Sequence, residues 1–339
     1  MDKPKLRIAV VNSKSFGKYS DALEKLKSIG DVDILEFPRN IDGGELAEKL
    51  EGYHFLIVSA TPYFGRDFFK NNRSVVMLIR HGVGLDNVDL KAAEEHGVIV
   101  VKVPGEVERE AVAELTITLI LSALRMVPQA YESVRKGKWY ERVKYIGKEL
   151  KNLVVGIIGF GNIGSRVAEI LIRGFNSKVL VYDPFVKPGR VSAIGAIPTA
   201  SLDELLKESD IITIHAALTP ETYHLINWQA FSKMKKGVII VNTARGEIID
   251  TNALIRALEE GIVSAVALDV IENEPIDNSH PILRFKNVIV TPHIAAYTYE
   301  SLHGMDYIAV EAIESYLKGR PIRGAVVMPK NPRRLVLEY

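Results

Sequence analysis

The chain has 339 residues, enough for about two domains of ordinary size, and 47% of them are apolar. Its formal net charge of +1 gives no electrostatic reason to expect nucleic acid or an anionic membrane as a partner. Because there is no cysteine, disulfides, thiolate metal sites and cysteine nucleophiles are excluded. No apolar run suggests a signal peptide or a membrane span, so we expect a cytoplasmic protein.

Short β-branched runs alternate with helical patterns in the first part of the chain. The stretch Tyr19–Ile29 is typical of the helices, because its apolar residues share one face. Such alternation predicts a parallel sheet covered by helices on both sides. The predicted strands are Leu6–Val11, Val32–Phe37, Phe55–Ser59, Val75–Ile79 and Val98–Val101.

A long apolar helix is predicted next, from about Arg109 to Val127, with Pro128 as its boundary. We interpret it as a buried connector to a second α/β unit. A final helix at about Ser301–Lys318 and an irregular tail complete the chain. The strands predicted for the second unit are Leu153–Ile158, Lys178–Tyr182, Ile211–His215, Val238–Asn242, Ser264–Asp269 and Val288–Thr291.

A G-x-G-x-x-G motif follows the first strand of the second series and opens a helical pattern, Ser165–Ile172. Alone the motif is a weak signal, but the strand before it and the helix after it are the context that dinucleotide binding needs. Its glycines would allow a tight turn, the approach of backbone N–H groups to a pyrophosphate, and close packing of helix on strand. The predicted cofactor-binding residues here are Gly159, Gly161, Asn162, Ile163 and Gly164.

Asp183 ends the next strand, 19 residues after Gly164. A carboxylate there would accept hydrogen bonds from the adenosine ribose and repel a 2′-phosphate, which favours NAD over NADP. The alternative is that Asp183 merely starts a turn before Pro184.

Three residues that bear charge or titrate come just after strands of the second series: Arg245, Glu274 and His293. Ligands of α/β proteins bind at the carboxyl ends of the strands. Taken singly, each residue is more often a surface charge, a solvated loop residue or a satisfied histidine.

At these positions the sequence resembles the D-isomer-specific 2-hydroxyacid dehydrogenase family, in its phosphoglycerate and glycerate dehydrogenase-like branch. The resemblance covers nearly the whole chain, with the motifs in the family's order. The matching segments are Gly82–Asp89, Leu218–Thr222, Asn242–Gly246, Asp269–Pro275 and Thr291–Ala296.

The resemblance implies an α/β fold of two Rossmann-like, doubly wound parallel-sheet domains, with the active site in the interdomain cleft. Residues 104–293 would form the NAD-binding Rossmann domain, and residues 1–103 with 294–339 the substrate-binding domain. Relatives usually dimerise through the NAD domain, so the helix near Leu115–Val127 and the arm Tyr131–Leu150 are candidates for homodimer contacts.

The resemblance also implies roles. Arg245 would hold the substrate carboxylate and polarise the C2 oxygen, His293 would be the general acid–base, and Glu274 would orient its imidazole. Hydride would pass between substrate C2 and the nicotinamide. The resemblance implies that Thr243, Ala244 and Asp269 contact the nicotinamide end of the cofactor, and that His215 lies near the adenosine or the phosphates. It also implies that Arg80 and the backbone of His81, Gly82 and Val83 contact the substrate.

The predicted reaction is the NAD-dependent interconversion of a small D-2-hydroxy acid and its 2-keto acid, with substrates such as 3-phosphoglycerate, glycerate or glyoxylate. Arg80 favours a phosphorylated acid, whereas Ala60 stands where some phosphoglycerate dehydrogenases carry another arginine. The carboxylates of the acidic segment 106–110 would oppose a phosphate if they face the site. They would equally serve as the charged first turn of the connector helix.

A second hypothesis is an NAD(H)-sensing binding protein, since the C-terminal-binding-protein corepressors are relatives that retain the same triad. No metal is predicted, because the remaining histidines show no metal-ligand spacing.

Overall fold

The structure is a computed structural model that describes residues 6–336. The chain forms two compact units. The first unit contains the residues up to Glu108 together with those from Tyr297 onwards, and the second unit is Arg109–Ala296. The chain therefore leaves the first unit once and returns to it once.

The strands are short, and most follow the apolar runs of the sequence. In chain order they are β1 (Arg7–Val11), β2 (Asp31–Leu35), β3 (Phe55–Val58), β4 (Met77–Arg80), β5 (Ile99–Lys102), β6 (Val154–Ile158), β7 (Lys178–Tyr182), β8 (Ile197–Pro198), β9 (Ile211–Ile214), β10 (Val238–Asn242), β11 (Val263–Leu268), β12 (Val288–Val290) and β13 (Ala325–Val327).

The helices lie between the strands. They are α1 (Ala22–Ile29), α2 (Gly43–Lys49), α3 (Arg66–Asn71), α4 (Leu90–Glu95), α5 (Gly105–Arg125), α6 (Val127–Arg135), α7 (Asn162–Phe175), α8 (Pro188–Ser192), α9 (Leu202–Glu208), α10 (Trp228–Phe231), α11 (Thr251–Glu259) and α12 (Tyr299–Leu317).

The sheet of the first unit has the strand order β13-β5-β4-β3-β1-β2. Strands β1 to β5 run parallel to one another, as predicted. Alternate residues of β1 enter two separate cores: Ala9 and Val11 pack on one face of the sheet, and Ile8 and Val10 pack on the other. Burial on both faces explains why the strands read as continuous apolar runs.

The tail after α12 is not wholly irregular, contrary to the prediction. Strand β13 pairs antiparallel with β5 and extends the sheet. Gly324 precedes it with a φ of +79°, and a Cβ there would lie 2.2 Å from the carbonyl oxygen of Lys102. A strand of three residues leaves too little periodicity to be recognised, and glycine is what permits its close approach.

The sheet of the second unit is parallel, in the order β12-β11-β10-β9-β6-β7-β8. The strand order reverses at β6, which has β7 on one side and β9 on the other. Such a switch point leaves a crevice at the carboxyl ends of the strands, where ligands of open α/β sheets bind. The prediction of two doubly wound parallel α/β sheets is confirmed.

The predicted connector helix ends close to the expected position, and a second helix, α6, which was not predicted, follows it directly. Helix α5 ends at Arg125, Met126 adopts a left-handed φ of +51°, and α6 begins at Val127. Pro128 lies in the first turn of α6, where its missing N–H costs nothing. Apolar residues of α5, including Ile117 and Ile120, belong to the core of the second unit.

No single helix within residues 6–336 is long and apolar enough to cross a membrane. Helices α5 and α6 together reach the required length and hydropathy, but they meet at a bend of 62°.

Candidate active site

The three residues singled out after strand ends lie along one edge of the second unit's sheet. Arg245 follows β10, Glu274 follows β11 and His293 follows β12. These strands are neighbours and run parallel, so their carboxyl ends meet at the same edge. The order of the strands therefore brings together residues that are up to 48 positions apart in the sequence.

Glu274 and His293 contact each other directly. Nδ1 of the imidazole lies 2.5 Å from Oε1 of Glu274, and the second carboxylate oxygen accepts a hydrogen bond from the backbone N–H of Ile271 at 3.3 Å. The carboxylate fixes one ring nitrogen as a donor and leaves Nε2 to exchange a proton with another molecule. The pair has the geometry of a carboxylate-oriented acid–base.

The carboxylate of Glu274 remains ionised at neutral pH. Its partial burial by itself raises the pKa, but the hydrogen bond to His293, the charges of His293 and Arg245 and the N–H of Ile271 outweigh that effect. The pKa of Glu274 therefore lies below its usual value. The ionised carboxylate can therefore accept a hydrogen bond from the ring and orient it.

Asp269 holds the loop that carries His293. Its Oδ1 accepts hydrogen bonds from the hydroxyl of Thr291 and the N–H of Ile294, and its Oδ2 accepts one from the N–H of Ala295. Its carbonyl oxygen accepts from the N–H of His293. His293 has a left-handed φ of +54°, a conformation that persists only when its surroundings enforce it.

The turn that presents Arg245 is held by Asn242. The amide group of Asn242 donates to the carbonyl oxygen of Arg245 at 2.8 Å and accepts from the N–H of Ala244 at 2.9 Å. Thr243 is buried in the same turn and its hydroxyl lies 2.9 Å from that of Thr116 on α5. The guanidinium is thereby presented from a fixed backbone.

Gly246 allows the Arg245 turn to approach the loop that bears Glu274. A Cβ at this position would lie 2.0 Å from the carbonyl carbon of Ile271 and 2.3 Å from the N of Glu272. Only a residue without a side chain fits between the two segments.

The glycine-rich turn lies between β6 and α7, at the switch point of the sheet. Gly159 has a φ of +91°, and a Cβ at Gly164 would lie 2.1 Å from the carbonyl oxygen of Gly159. A Cβ at Gly161 would meet nothing within 4 Å, so there is open space in front of this glycine. Asn162 begins α7 and Ile163 packs against the core, which fixes the helix N-terminus behind the turn.

Asp183 follows β7 and reaches back to the glycine-rich turn. Its Oδ2 accepts a hydrogen bond from the N–H of Phe160 at 2.7 Å, and its Oδ1 accepts one from the N–H of Phe185 at 2.9 Å. Asp183 therefore starts a turn and also supports the turn around Gly159, a contact that the sequence did not predict.

His215 follows β9, the strand beside β6. Its Nε2 lies 3.0 Å from the hydroxyl of Thr213, and desolvation lowers its pKa to about 3. Among the residues that the structure describes, none forms a hydrogen bond with its Nδ1. A neutral ring with an unused polar atom beside the glycine-rich turn fits a role in binding a ligand there.

The loop after β4 in the first unit carries the predicted substrate-binding residues. The N–H of His81 donates to the carbonyl oxygen of Val58 and that of Gly82 to the carbonyl oxygen of Arg80. The side chain of Arg80 is only 9% exposed, and its guanidinium donates to the carbonyl oxygen of His81.

The acidic segment 106–110 lies at the start of α5. Glu106 forms an ion pair with Arg323 at 3.0 Å, and Glu110 forms ion pairs with Arg109 and Arg166. Of the two interpretations, the charged first turn of a helix agrees with these contacts.

Comparison with known proteins identifies the group to which this architecture belongs. A family model described as the NAD-binding domain of D-isomer-specific 2-hydroxyacid dehydrogenases matches residues 117–295. The chain belongs to this family. It is 41% identical, over 84% of its length, to a D-3-phosphoglycerate dehydrogenase of Archaeoglobus fulgidus, and it covers 53% of that protein. It therefore spans about half the length of such relatives.

With two further relatives, the match extends over most of both chains. A glyoxylate reductase of Thermococcus litoralis is 33% identical over 88% of this chain and 91% of its own length. The crystal structure of a D-lactate dehydrogenase of Aquifex aeolicus, complexed with NAD and lactic acid, matches 95% of this chain with a TM-score of 0.83 and 31% identity. These relatives are named as dehydrogenases and reductases.

The second unit of this family member is suited to NAD, as predicted. The left-handed turn at Gly159, the close approach of Gly164 and the open space before Gly161 form a cradle that side chains would fill. Together with the family's NAD-binding domain over residues 117–295, this confirms the predicted cofactor. Within residues 6–336, no three histidine, aspartate or glutamate residues are grouped as ligands for a metal ion.

Sequence reasoning missed several residues that shape this site. Asn242 and Gly246 lie inside a segment quoted for the resemblance, but only the structure shows that one holds the Arg245 turn and the other allows close approach. The resemblance places Asp269 at the nicotinamide end, and the structure adds that its carboxylate accepts hydrogen bonds from the loop around His293. An aspartate that ends a strand, 24 residues before a histidine, carries no local signal for that contact.

Proposed function

We propose that this chain is an NAD-dependent oxidoreductase that interconverts a small D-2-hydroxy acid and its 2-keto acid. The observation that carries the proposal is the contact of 2.5 Å between Glu274 and His293 on the sheet edge that also bears Arg245. The reaction requires two protein groups: a cation that binds the substrate carboxylate, and an imidazole that is oriented by a carboxylate.

The proposed mechanism divides the work among these three side chains. The planar guanidinium of Arg245 binds the substrate carboxylate and polarises the C2 oxygen. NAD, held at the glycine-rich turn, would supply the acceptor of the C2 hydride for oxidation and its donor for reduction. His293 takes the hydroxyl proton on Nε2 in the first direction and donates it to the carbonyl oxygen in the second. Glu274 keeps the ring oriented and stabilises its protonated form.

We propose NAD rather than NADP as the partner of the glycine-rich turn, since Asp183 contributes a carboxylate at the end of β7. Its hydrogen bond from the N–H of Phe160 holds this negative charge beside the turn. A ribose hydroxyl can donate to the carboxylate, whereas a 2′-phosphate would be repelled by it.

We propose an unphosphorylated substrate, of the size of glyoxylate or hydroxypyruvate. Arg80 would be the phosphate ligand of a phosphorylated acid, but its guanidinium is buried against the carbonyl oxygen of its own neighbour, His81. Arg245 makes a similar hydrogen bond, to the carbonyl oxygen of Ala244, but is only partly buried, so burial is what sets Arg80 apart. The amides of His81 and Gly82 are also engaged by carbonyl groups, so we assign the substrate carboxylate to the N–H of Val83.

We propose that the protein is a cytoplasmic homodimer. The segment after α6 exposes several apolar side chains. Tyr140 is 93% exposed and Ile146 is 80% exposed, and Trp139 and Val143 in the same segment are exposed as well. Exposed apolar side chains concentrated in one segment are typical of a protein–protein contact. The absence of cysteine fits a reducing compartment.

The activity is tested with a panel of 2-keto acids and NADH, followed by NADH absorbance. The panel contains glyoxylate, hydroxypyruvate, pyruvate and 3-phosphohydroxypyruvate. We expect turnover of at least one unphosphorylated acid and a lower kcat/KM for the phosphorylated one. Tight binding of NADH without turnover of any acid would support the NAD(H)-sensing alternative. A preference for 3-phosphohydroxypyruvate would overturn the substrate assignment alone.

A further inference from the structure

Three polar side chains meet in the interior of the first unit, far apart in sequence. The hydroxyl of Ser13, after β1, lies 3.0 Å from Nδ1 of His81, after β4. Nε2 of the same ring lies 2.9 Å from Oδ1 of Asp306 on α12. The side chain of Asp306 is fully buried and that of His81 is 4% exposed. Burying such groups is costly unless every one is hydrogen-bonded.

Asp306 has further partners in the segment that follows β1. Its Oδ2 accepts hydrogen bonds from the N–H of Gly17 at 3.0 Å and from the hydroxyl of Ser20 at 2.6 Å. The ring of Phe16 packs edge-on against the imidazole of His81, with the ring centres 5.4 Å apart. One carboxylate and one imidazole therefore tie the loops after β1 and β4 to α12.

The backbone next to His81 is fixed on both sides. The N–H of His81 donates to Val58, the N–H of Gly82 donates to Arg80, and the carbonyl oxygen of Gly82 accepts from the N–H of Val103. Gly82 has a φ of +143°, and a Cβ there would lie 2.4 Å from Nη1 of Arg80. The side chain of His81 links this loop to α12 and to the segment 13–20.

A serine, a histidine and an aspartate in contact also suggest a hydrolytic triad, but the burial of this group excludes that interpretation. Ser13 is only 6% exposed and its hydroxyl is directed at the ring. A nucleophile must reach the carbonyl carbon of a substrate. The contacts are therefore internal, and they act on the position of the loop.

We propose that His81 is a positioning residue, which holds the Gly82–Val83 turn so that its backbone can bind the carboxylate of the 2-keto acid. This inference rests on the proposed function. The ring acts through Asp306 and Ser13 and touches neither substrate nor cofactor. Loss of the anchor weakens substrate binding in the ground state and the transition state alike, so KM rises while kcat changes little.

The test compares a substitution of His81 that keeps the hydrogen bond to Asp306 with one that removes it. His81→Gln can still donate to Asp306 from a position close to that of Nε2, whereas His81→Asn is too short to reach it. His303→Gln, at an exposed position on α12, is the matched control. The readouts are KM and kcat for the best keto acid, the Ki of oxamate as an unreactive carboxylate analogue, the Kd of NADH, and Tm.

We expect His81→Asn to raise KM and the Ki of oxamate together by about tenfold or more, as the loss of one buried hydrogen bond implies. The Kd of NADH should stay within about twofold, and His81→Gln should recover most of the loss. If His81→Asn does not fold, Ser13→Ala, which removes a single hydroxyl, is expected to raise KM in the same direction.

Unchanged KM and Ki in folded His81→Asn, or in Ser13→Ala where His81→Asn does not fold, would overturn the positioning role and leave the proposed function standing. A fall in Tm with equal losses in NADH binding, kcat and KM would also overturn it, since that is the signature of a general structural role. A wild-type protein that turns over no keto acid would overturn both the inference and the proposed function.

Discussion

Arg245 illustrates how much the geometry of one side chain contributes to the binding of the substrate. Its planar guanidinium can form two parallel hydrogen bonds with a carboxylate, whereas a lysine ammonium cannot. We predict that Arg245→Lys lowers kcat/KM by ~30–1000-fold, which corresponds to a loss of about 2–4 kcal/mol in transition-state binding. Arg173→Lys, an exposed arginine in an i,i+4 ion pair with Glu169, should leave the kinetics unchanged. Near wild-type kinetics of Arg245→Lys would place the carboxylate site elsewhere.

Asp183 tests the choice between the two nicotinamide cofactors. Asp183→Asn keeps an oxygen that can accept from the N–H of Phe160 but removes the negative charge. We predict that the ratio of kcat/KM for NADH over NADPH is high in the wild type and falls by about tenfold in the variant, since one charge repulsion of ~1.4 kcal/mol is lost. Equal values for the two cofactors in the wild type would refute the assignment of Asp183.

At the scale of secondary-structure elements, the site depends on how closely two loops approach at the sheet edge. In Gly246→Ala the new Cβ would lie 2.0 Å from the backbone of Ile271, so the turn after β10 must move away from the loop after β11. We predict a loss of about 100-fold or more in kcat/KM, because displacing a reacting group by about 1 Å has effects of that order.

The control for this variant is Gly174→Ala in α7, where the added Cβ meets no atom within 4 Å. Gly174→Ala should keep full activity and raise the free energy of unfolding by roughly 0.5–1 kcal/mol, as expected when alanine replaces glycine in a helix. Full activity of Gly246→Ala would show that the two loops need not be in contact.

The elements themselves were largely predictable, because buried parallel strands read as apolar runs. Strands such as Lys178–Tyr182 and Val238–Asn242 have their predicted bounds. Strand β8, with two residues, was not predicted, because it is too short to show a period. The end of α5 was predicted close to its observed position, but helix α6 was not, since Pro128 was read only as a boundary and lies in the first turn of α6.

The candidate site could be predicted only in part, for a physical reason. Arg245, Glu274 and His293 each follow a strand, so the parallel order of the strands was enough to predict their common edge. His81 and Asp306 are 225 residues apart, and their contact depends on how α12 packs within the first unit. Sequence patterns report local periodicity and strand ends, and they carry no information about such a contact.

For the molecule as a whole, the exposed apolar segment after α6 predicts self-association. Val143→Asp places a charge on the proposed contact, where its desolvation would be costly. We expect the wild-type protein to sediment as a dimer and Val143→Asp as a monomer, measured by analytical ultracentrifugation. Leu283→Asp, at another exposed position of the second unit, should remain dimeric. A monomeric wild type would contradict the proposal.

The central claim is that Glu274 and His293 act together as the acid–base, and its most direct test is the pH dependence of kcat/KM in Glu274→Gln. Reduction of the keto acid needs the protonated imidazole, so the rate of reduction falls as pH rises. Oxidation needs the neutral imidazole, so the rate of oxidation falls as pH drops. Each pH profile therefore has one falling limb. The variant keeps the shape of the side chain but lacks the charge that stabilises the protonated ring.

We predict that both limbs move to lower pH in Glu274→Gln, and the partial exposure of the pair to solvent limits the size of the movement. Glu272→Gln is the matched control, because Glu272 lies in the same loop but contacts a different histidine, His224, at 2.7 Å. Its limbs should stay in place. Limbs that do not move in Glu274→Gln would contradict the acid–base pair, even if the protein proves to be a dehydrogenase.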